Sequence, residues 1–211
     1  MTSKINSLTE IEISGRLEKA LSEETDSRSS NSSFPADLFQ NSPLDAAVLM
    51  PLLRKENEWH LLFTRRTSSL PEHSGQVAFP GGRSDPGDAS PEVTALREAQ
   101  EEINLTPGNV NILGKLRQLR TISNYCVFPV VGRIPWPYEF LLAREEVSRI
   151  FTIPLEWLAD PNNHIVQLRE LPSPHSPVPV IYFDRYEDEL LWGISAQITM
   201  DFLYSLNLVQ E

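Results

Sequence analysis

Strand-like apolar runs interleaved with few helical patterns predict an α+β fold or a mixed α/β sandwich. The runs "DAAVLMPLL" and "WHLLFTRR" flank the polar "RKENE", as two paired strands would. Residues 91–104 carry a helical repeat, with Leu96, Ala99 and Ile103 on one stripe and the carboxylates off it. A late hairpin, "VPVIYFDRY" with "ELLWGI", runs into a closing helix over residues 195–208.

The other elements follow in chain order. Leu8, Ile11, Leu17 and Leu21 fall at mostly helical spacings, so residues 8–22 predict a short amphipathic helix. The serine-rich "SEETDSRSSNSSFPADLFQNSP" is short of aliphatic residues before Leu38 and reads as a linker. The chain thus divides into a helix with its linker, 1–44, and a folded domain, 45–211. "QVAF" is a short strand before the glycines, and "VNILGKLRQLRT" and "YCVFPVVGRI" are two more. "AREEVSRI" reads as a helix, followed by the short "PLEWLAD".

With 211 residues the chain can bury a substantial single core. A formal charge of -11 argues against nucleic acid or an anionic membrane as partner, because those surfaces select basic patches. A small anionic ligand would need local arginines or a metal. Cys126 is the only cysteine, so no intramolecular disulfide forms, and its apolar setting predicts a packed thiol and not a nucleophile. "MTSKINSLTEIEISGRLEKA" lacks the apolar stretch of a secretory signal, "AAVLMPLL" and "CVFPVVG" are too short to span a bilayer, and "LVQE" is no peroxisomal address. These features predict a cytoplasmic protein.

The chemistry concentrates in "FPGGRSDPGDASPEVTALREAQEEINL", Phe79–Leu105. Ser90 before Pro91 is a helix start, the hydroxyl capping open amides and the proline standing where a missing N–H is harmless. Glu98, Glu101 and Glu102 then fall at i, i+3 and i+4, on one helix face. Like charges at such spacings cost a helix roughly 0.2–0.5 kcal/mol per pair, and more if desolvated, unless something positive lies between them. A hard divalent cation, Mg²⁺ or Mn²⁺, suits an all-oxygen set. A solvated acidic face is the bland alternative. The preceding Gly81 and Gly82 favour the metal, because glycine lets backbone approach a ligand closely.

"GG…REAQEE" resembles the Nudix box, G-x5-E-x7-R-E-U-x-E-E-x-G-U: Arg97, Glu98, Glu101 and Glu102 match its core in register and Leu105 its last aliphatic position. "LLFTRRTSSLPEHSGQVAFPGG" is similar to the extra motif of the coenzyme A pyrophosphatase branch. "EEVSRIFTIPLEWL" and "LLWGISAQI" also look like segments of that branch, so the likeness spans roughly residues 45–205. One residue is inserted between the glycine and Arg97, which leaves Asp88 or Glu92 as the acid that orients Arg97. Asn104 stands where the box has glycine, and asparagine tolerates the left-handed conformation that a helix end requires.

The resemblance implies a Nudix fold, an α/β/α sandwich around a mixed sheet, and hydrolysis of coenzyme A or acyl-coenzyme A into 3′,5′-ADP and phosphopantetheine or its acyl form. Other nucleoside diphosphate derivatives, such as NADH, ADP-ribose or a nucleotide sugar, and a silent nucleotide-binding scaffold are the alternatives. It further implies Glu98, Glu101 and Glu102 as metal ligands with the Gly81 carbonyl, Arg97 as their organiser, and Glu98 or Glu146 as base. An ordinary exposed glutamate is the alternative for Glu146. Arg65 or Arg66, at the end of an apolar strand, is expected on a coenzyme A phosphate, the alternative being that strand alternation sends one to solvent and pairs the other locally. His73 is expected at the substrate entrance, with a structural hydrogen bond as its alternative. Trp192 is expected in packing and not as a base-stacking platform. Related folds pair, so a homodimer is consistent with this reading.

Overall fold

The computed structural model describes residues 4–24, 42–68, 74–171 and 176–210. Its organising element is β1 (Leu44–Lys55), apolar on both faces: Ala46, Met50 and Leu52 enter one core, and Ala47, Leu49 and Leu53 the other. A strand buried on both sides belongs in the middle of a sheet. It pairs in parallel with β7 (Tyr125–Arg133) and antiparallel with β2 (Glu58–Arg66) and β4 (Gly81–Arg83). The strands β3 (Val77–Ala78) and β8 (Val147–Pro154) join β2, while β5 (Asn111–Lys115) and β6 (Leu119–Arg120) join β7. The result is an eight-stranded mixed sheet.

Helix α2 (Pro91–Ile103) covers one face through Ala95, Ala99 and Ile103. The other face carries α1 (Glu10–Glu24), α3 (Leu155–Leu158) and α4 (Gly193–Ser205). A second, antiparallel sheet, β9 (His164–Arg169), β10 (Val178–Tyr186) and β11 (Glu189–Trp192), adds Phe183 and Leu191 to the same core. The expected α/β/α layering around a mixed sheet is therefore present.

Residues before the serine-rich stretch also reach this core. Thr9 and Glu12 form a reciprocal capping box, the Thr9 amide donating to the Glu12 carboxylate at 2.8 Å and the Glu12 amide to the Thr9 hydroxyl at 3.2 Å. Leu8, Ile13 and Leu17 are buried, and the Trp59 indole donates to the Leu8 carbonyl at 2.9 Å. The apolar stripe differs from the expected one: Ile11 is 85% exposed and Leu21 also faces out, because the i, i+4 pair Ile13 and Leu17 is the one that meets the core. Much of the serine-rich linker, 25–41, lies outside the described residues.

Two further segments differ from expectation, and one strand had no expectation to meet. "AREEVSRI" is a turn, Arg144–Glu146, entering β8, and not a helix. Val147, Phe151 and Ile153 are buried, and pairing along β2 from Arg66 to His60 overrides the local helical preference of the glutamates. In α2 the buried stripe is Ala95, Ala99 and Ile103, with Leu96 only half-buried, and the carboxylates do not all avoid it, since Glu102 is buried. Strand β9 carries no sequence signal because both its faces are largely exposed, so apolar and polar residues do not alternate.

His60, buried on β2, is held well below the ordinary imidazole value, at about 4, chiefly by desolvation and then by the charge of Lys55. A depressed folded value means that the unfolded chain binds the proton first as pH falls. Stability from neutral His60 is complete above about pH 6.5 and is lost as pH drops towards 4. Thermal melting across that window is expected to show a steeper acid loss for the parent than for His60→Leu. Equal slopes would contradict the assignment.

Candidate active site

The turn that delivers α2 is built for close contact. A Cβ on Gly82 would stand 2.6 Å from the Glu98 carboxylate, and one on Gly81 would stand 2.4 Å from the Ala47 carbonyl oxygen. Both glycines sit in β4 without a positive φ, so lack of a side chain is what the site requires. Helix α2 begins as expected, Ser90 Oγ accepting from the Val93 amide at 3.4 Å with Pro91 in the first turn. It ends on Asn104 in the left-handed region, φ 56°, with Asn104 N donating to Gln100 O and Leu105 N to Ala99 O. This paired closure with buried Leu105 is the usual asparagine substitute for a C-terminal glycine.

Arg97 is the hub of the acidic face. Its Nε and Nη2 grip Asp88, the closer contact being 2.9 Å, and Nη2 also donates to the Arg83 carbonyl at 3.0 Å. Nη1 donates to Glu98 at 2.8 Å and to Glu101 at 3.1 Å. Asp88, and not Glu92, thus orients Arg97; Glu92 pairs instead with Lys115 at 2.7 Å. Asp88 also accepts from the Thr94 hydroxyl and the Asp85 amide. The Arg97 guanidinium, with these donors, holds the Asp88 carboxyl far below the usual carboxylate range.

The three glutamates have different surroundings. The Glu101 side chain is 60% exposed and pairs with Arg97. Glu98 is largely covered, and desolvation raises its pKa against the opposing pull of Arg97. Glu102 is buried, and its Oε2 has no hydrogen-bond partner among the described residues. Desolvation pushes it up to about 8, opposed by Arg66 and by the Gly81 amide, and reinforced by the charges of Glu98 and Glu146. Glu146 adds its charge against both glutamates from the turn before β8. That turn is fastened to α2 by the Ala143 amide on the Glu102 carbonyl and to the residue following β2 by the Thr67 amide on the Glu146 carbonyl, both at 2.9 Å.

Among the described residues no three His, Cys, Asp or Glu side chains stand close enough to enclose an ion in this conformation. The donor set nonetheless fits a hard cation. Glu102 has a buried carboxylate oxygen without a hydrogen-bond partner among the described residues, Glu98 is a second desolvated carboxylate against Gly82, and the charge of exposed Glu146 disfavours ionisation of both, with Arg66 opposing at Glu102 and Arg97 at Glu98. Glu101, exposed and paired with Arg97, lies at the rim of this group.

Strand geometry separates the two adjacent arginines. Leu62 and Thr64 share a face of β2 with Arg66, towards Glu102, whereas Trp59, Leu61 and Phe63 share the opposite face with Arg65. Arg65 donates to buried Glu189 at 3.3 Å, and Glu189 accepts a second bond, 3.0 Å, from Arg149. No local pattern announces Glu189 or Arg149, because the partners of this group are up to 124 residues apart. His73 lies outside the described residues. Cys126 is buried and its thiol is pushed up by burial, as a packing residue should be. Trp192 stacks on Tyr182 with ring centroids 5.5 Å apart.

A mixed sheet in an α/β/α sandwich, presenting a glycine-bordered turn to a helix of organised glutamates, defines a pyrophosphohydrolase. The comparisons give the particular family. Residues 43–172 match the NUDIX domain, and the chain is 42% identical over 154 residues to the uncharacterized Nudix hydrolase NudL of Yersinia pestis (strain Pestoides F). That alignment covers 72% of this chain and 75% of the relative, and the NudL of Yersinia pseudotuberculosis (strain YPIII) matches equally. A MutT/nudix family protein from Enterococcus faecalis shares the fold, with a TM-score of 0.53 at 15% identity over 90% of this chain and 69% of that one. The chain belongs to the Nudix hydrolase family. Members of this family hydrolyse nucleoside diphosphate derivatives and generally use divalent ions such as Mg²⁺ or Mn²⁺. No helix among the described residues is long and apolar enough to cross a membrane.

Proposed function

We propose that this protein cleaves the pyrophosphate bond of coenzyme A or acyl-coenzyme A, releasing 3′,5′-ADP and phosphopantetheine or its acyl form. The observation that carries the chemistry is the Oε2 of buried Glu102, which has no partner among the described residues and feels the charges of Glu98 and Glu146. A protein keeps such an atom where a ligand completes it. The substrate class rests on "LLFTRRTSSLPEHSGQVAFPGG", whose likeness to the coenzyme A branch is unmatched by the competing substrates.

In this reading Glu98 and Glu102 hold the divalent ion, with the Gly81 carbonyl as backbone ligand and Glu101 available at the rim. Such an ion, when bound, would supply charge neutralisation at phosphate oxygens and a lowered pKa for a bound water. Arg97 fixes the Glu98 carboxylate, and Asp88 fixes Arg97. Arg66 brings positive charge to the same face for a diphosphate oxygen. Glu98 is the first choice to take the proton from water, and Glu146 the second. A cytoplasmic setting, with Cys126 kept reduced, completes the reading.

Incubation with Mg²⁺ or Mn²⁺ and a panel of coenzyme A, acyl-coenzyme A, NADH, ADP-ribose and a nucleotide sugar tests it, with products identified by mass. Coenzyme A or its acyl form is expected to give the highest kcat/KM. Faster turnover of any of the others would assign the protein to that substrate instead.

A further inference from the structure

We infer that the cleft between the end of β2 and the β10–β11 turn is a second anion subsite, which reads a phosphate monoester carried by the substrate away from its diphosphate. The inference rests on the coenzyme A reading and deepens it, since 3′-phosphorylated coenzyme A carries such a group whereas NADH and ADP-ribose do not. The cleft measures about 370 Å³, within the range of small-ligand sites, and Arg65, Gly75, Arg185, Glu189 and Trp192 are among its walls.

Two guanidiniums reach this cleft from different parts of the chain, each held by a single bond. Arg65 gives Nη1 to Glu189 at 3.3 Å, and Arg185 gives Nη1 to the Asp188 carbonyl at 2.7 Å. A guanidinium has five N–H donors, so among the described residues each keeps most of its hydrogen-bonding capacity. Glu189 is buried, and one of its oxygens serves both Arg65 and Arg149, which fixes Arg65 while neutralising the pair only in part. Arg185 is fixed by a tight turn in which Glu187 and Asp188 both take positive φ, 47° and 67°. Among the described residues nothing lies within 4 Å of where a Cβ on Gly75 would stand, so that wall leaves room for a ligand.

Asp188 also lines the cleft, so it is no general trap for anions. A ligand must engage both guanidiniums together, as the several oxygens of a phosphate monoester can. Stacking on Trp192 contributes little, because Tyr182 lies 5.5 Å from one side of the indole and the Arg169 guanidinium 5.3 Å from its centroid. The adjacent Arg65 and Arg66 then divide the work: Arg66 faces the scissile diphosphate and Arg65, across the strand, the remote phosphate.

Titration calorimetry with adenosine 3′,5′-bisphosphate and with 5′-AMP tests this on the parent, Arg65→Ala and Arg185→Ala proteins. The parent is expected to prefer the bisphosphate by about tenfold or more, and each variant to lose most of that preference. Equal affinities in the parent, or a preference that survives both substitutions, would overturn the subsite. Arg185 is exposed, so its removal leaves the fold intact. A parent that shows the preference yet does not cut coenzyme A would overturn the coenzyme A reading alone, leaving the subsite standing.

Discussion

Glu102→Gln is expected to abolish turnover while leaving the metal-free fold as stable as the parent, or more so. The loss in kcat/KM at saturating Mg²⁺ should exceed the roughly 10–100-fold typical of losing a group that merely supports a metal ligand. The stability outcome follows from the raised pKa of about 8. A carboxyl whose folded value lies above its ordinary 4.5 binds a proton more readily in the folded state, so its contribution to stability falls as pH rises from about 4.5 to 8. Glutamine is neutral throughout and escapes that loss. Without metal, the variant should therefore melt close to the parent at pH 5 and above it at pH 8. Full turnover in the variant, or a lower melting temperature at pH 8, would contradict the role assigned to Glu102.

Arg97→Ala is the second large effect. Its guanidinium joins Asp88, Glu98, Glu101 and the Arg83 carbonyl, so one truncation releases the turn from the helix and the glutamates from each other. We expect kcat/KM to fall by about 10–100-fold, in line with the loss of the partner that positions a ligating carboxylate. Arg97→Lys should recover little, because an ammonium cannot span Asp88 and Glu98 with the fixed fork of a guanidinium. Asp88→Asn should be milder than Arg97→Ala, since an amide oxygen still accepts from Arg97. Activity of Arg97→Lys equal to the parent would show that charge alone matters at this position. Steady-state kinetics on the three variants decide between these outcomes.

The parts of the fold that the sequence announced are those whose signals are local. Ser90–Pro91 and Asn104 mark both ends of α2 through capping chemistry, and the structure places those ends within a residue of the expected ones. The β1–β2 and β10–β11 hairpins are bounded by polar turns and appear as expected. Strand β8 was hidden because Arg144, Glu145 and Glu146 are good helix formers, and only its pairing with β2 shows that the segment is extended. Strand β9 was hidden because an edge strand open on both faces has no alternation to read.

The site was legible to the same extent. Helical spacing placed Glu98, Glu101 and Glu102 on one side of α2, but spacing carries no information about depth. The sheet buries Glu102, while Glu101 stays exposed in its pair with Arg97. Asp88 and Glu92 were equal candidates until Lys115, from β5, took Glu92. Arg65 and Arg66 are neighbours in sequence, yet strand alternation sends them to opposite sides of the sheet, where Glu189 and Glu102 await them from distant parts of the chain.

Binding of Mn²⁺ to the substrate-free protein, followed by electron paramagnetic resonance, tests the central claim that Glu98 and Glu102 grip the ion. The parent should bind Mn²⁺, Glu98→Gln and Glu102→Gln should each bind at least about tenfold more weakly, and Glu101→Gln should change affinity least. Unaltered Mn²⁺ affinity in Glu98→Gln and Glu102→Gln would contradict the account.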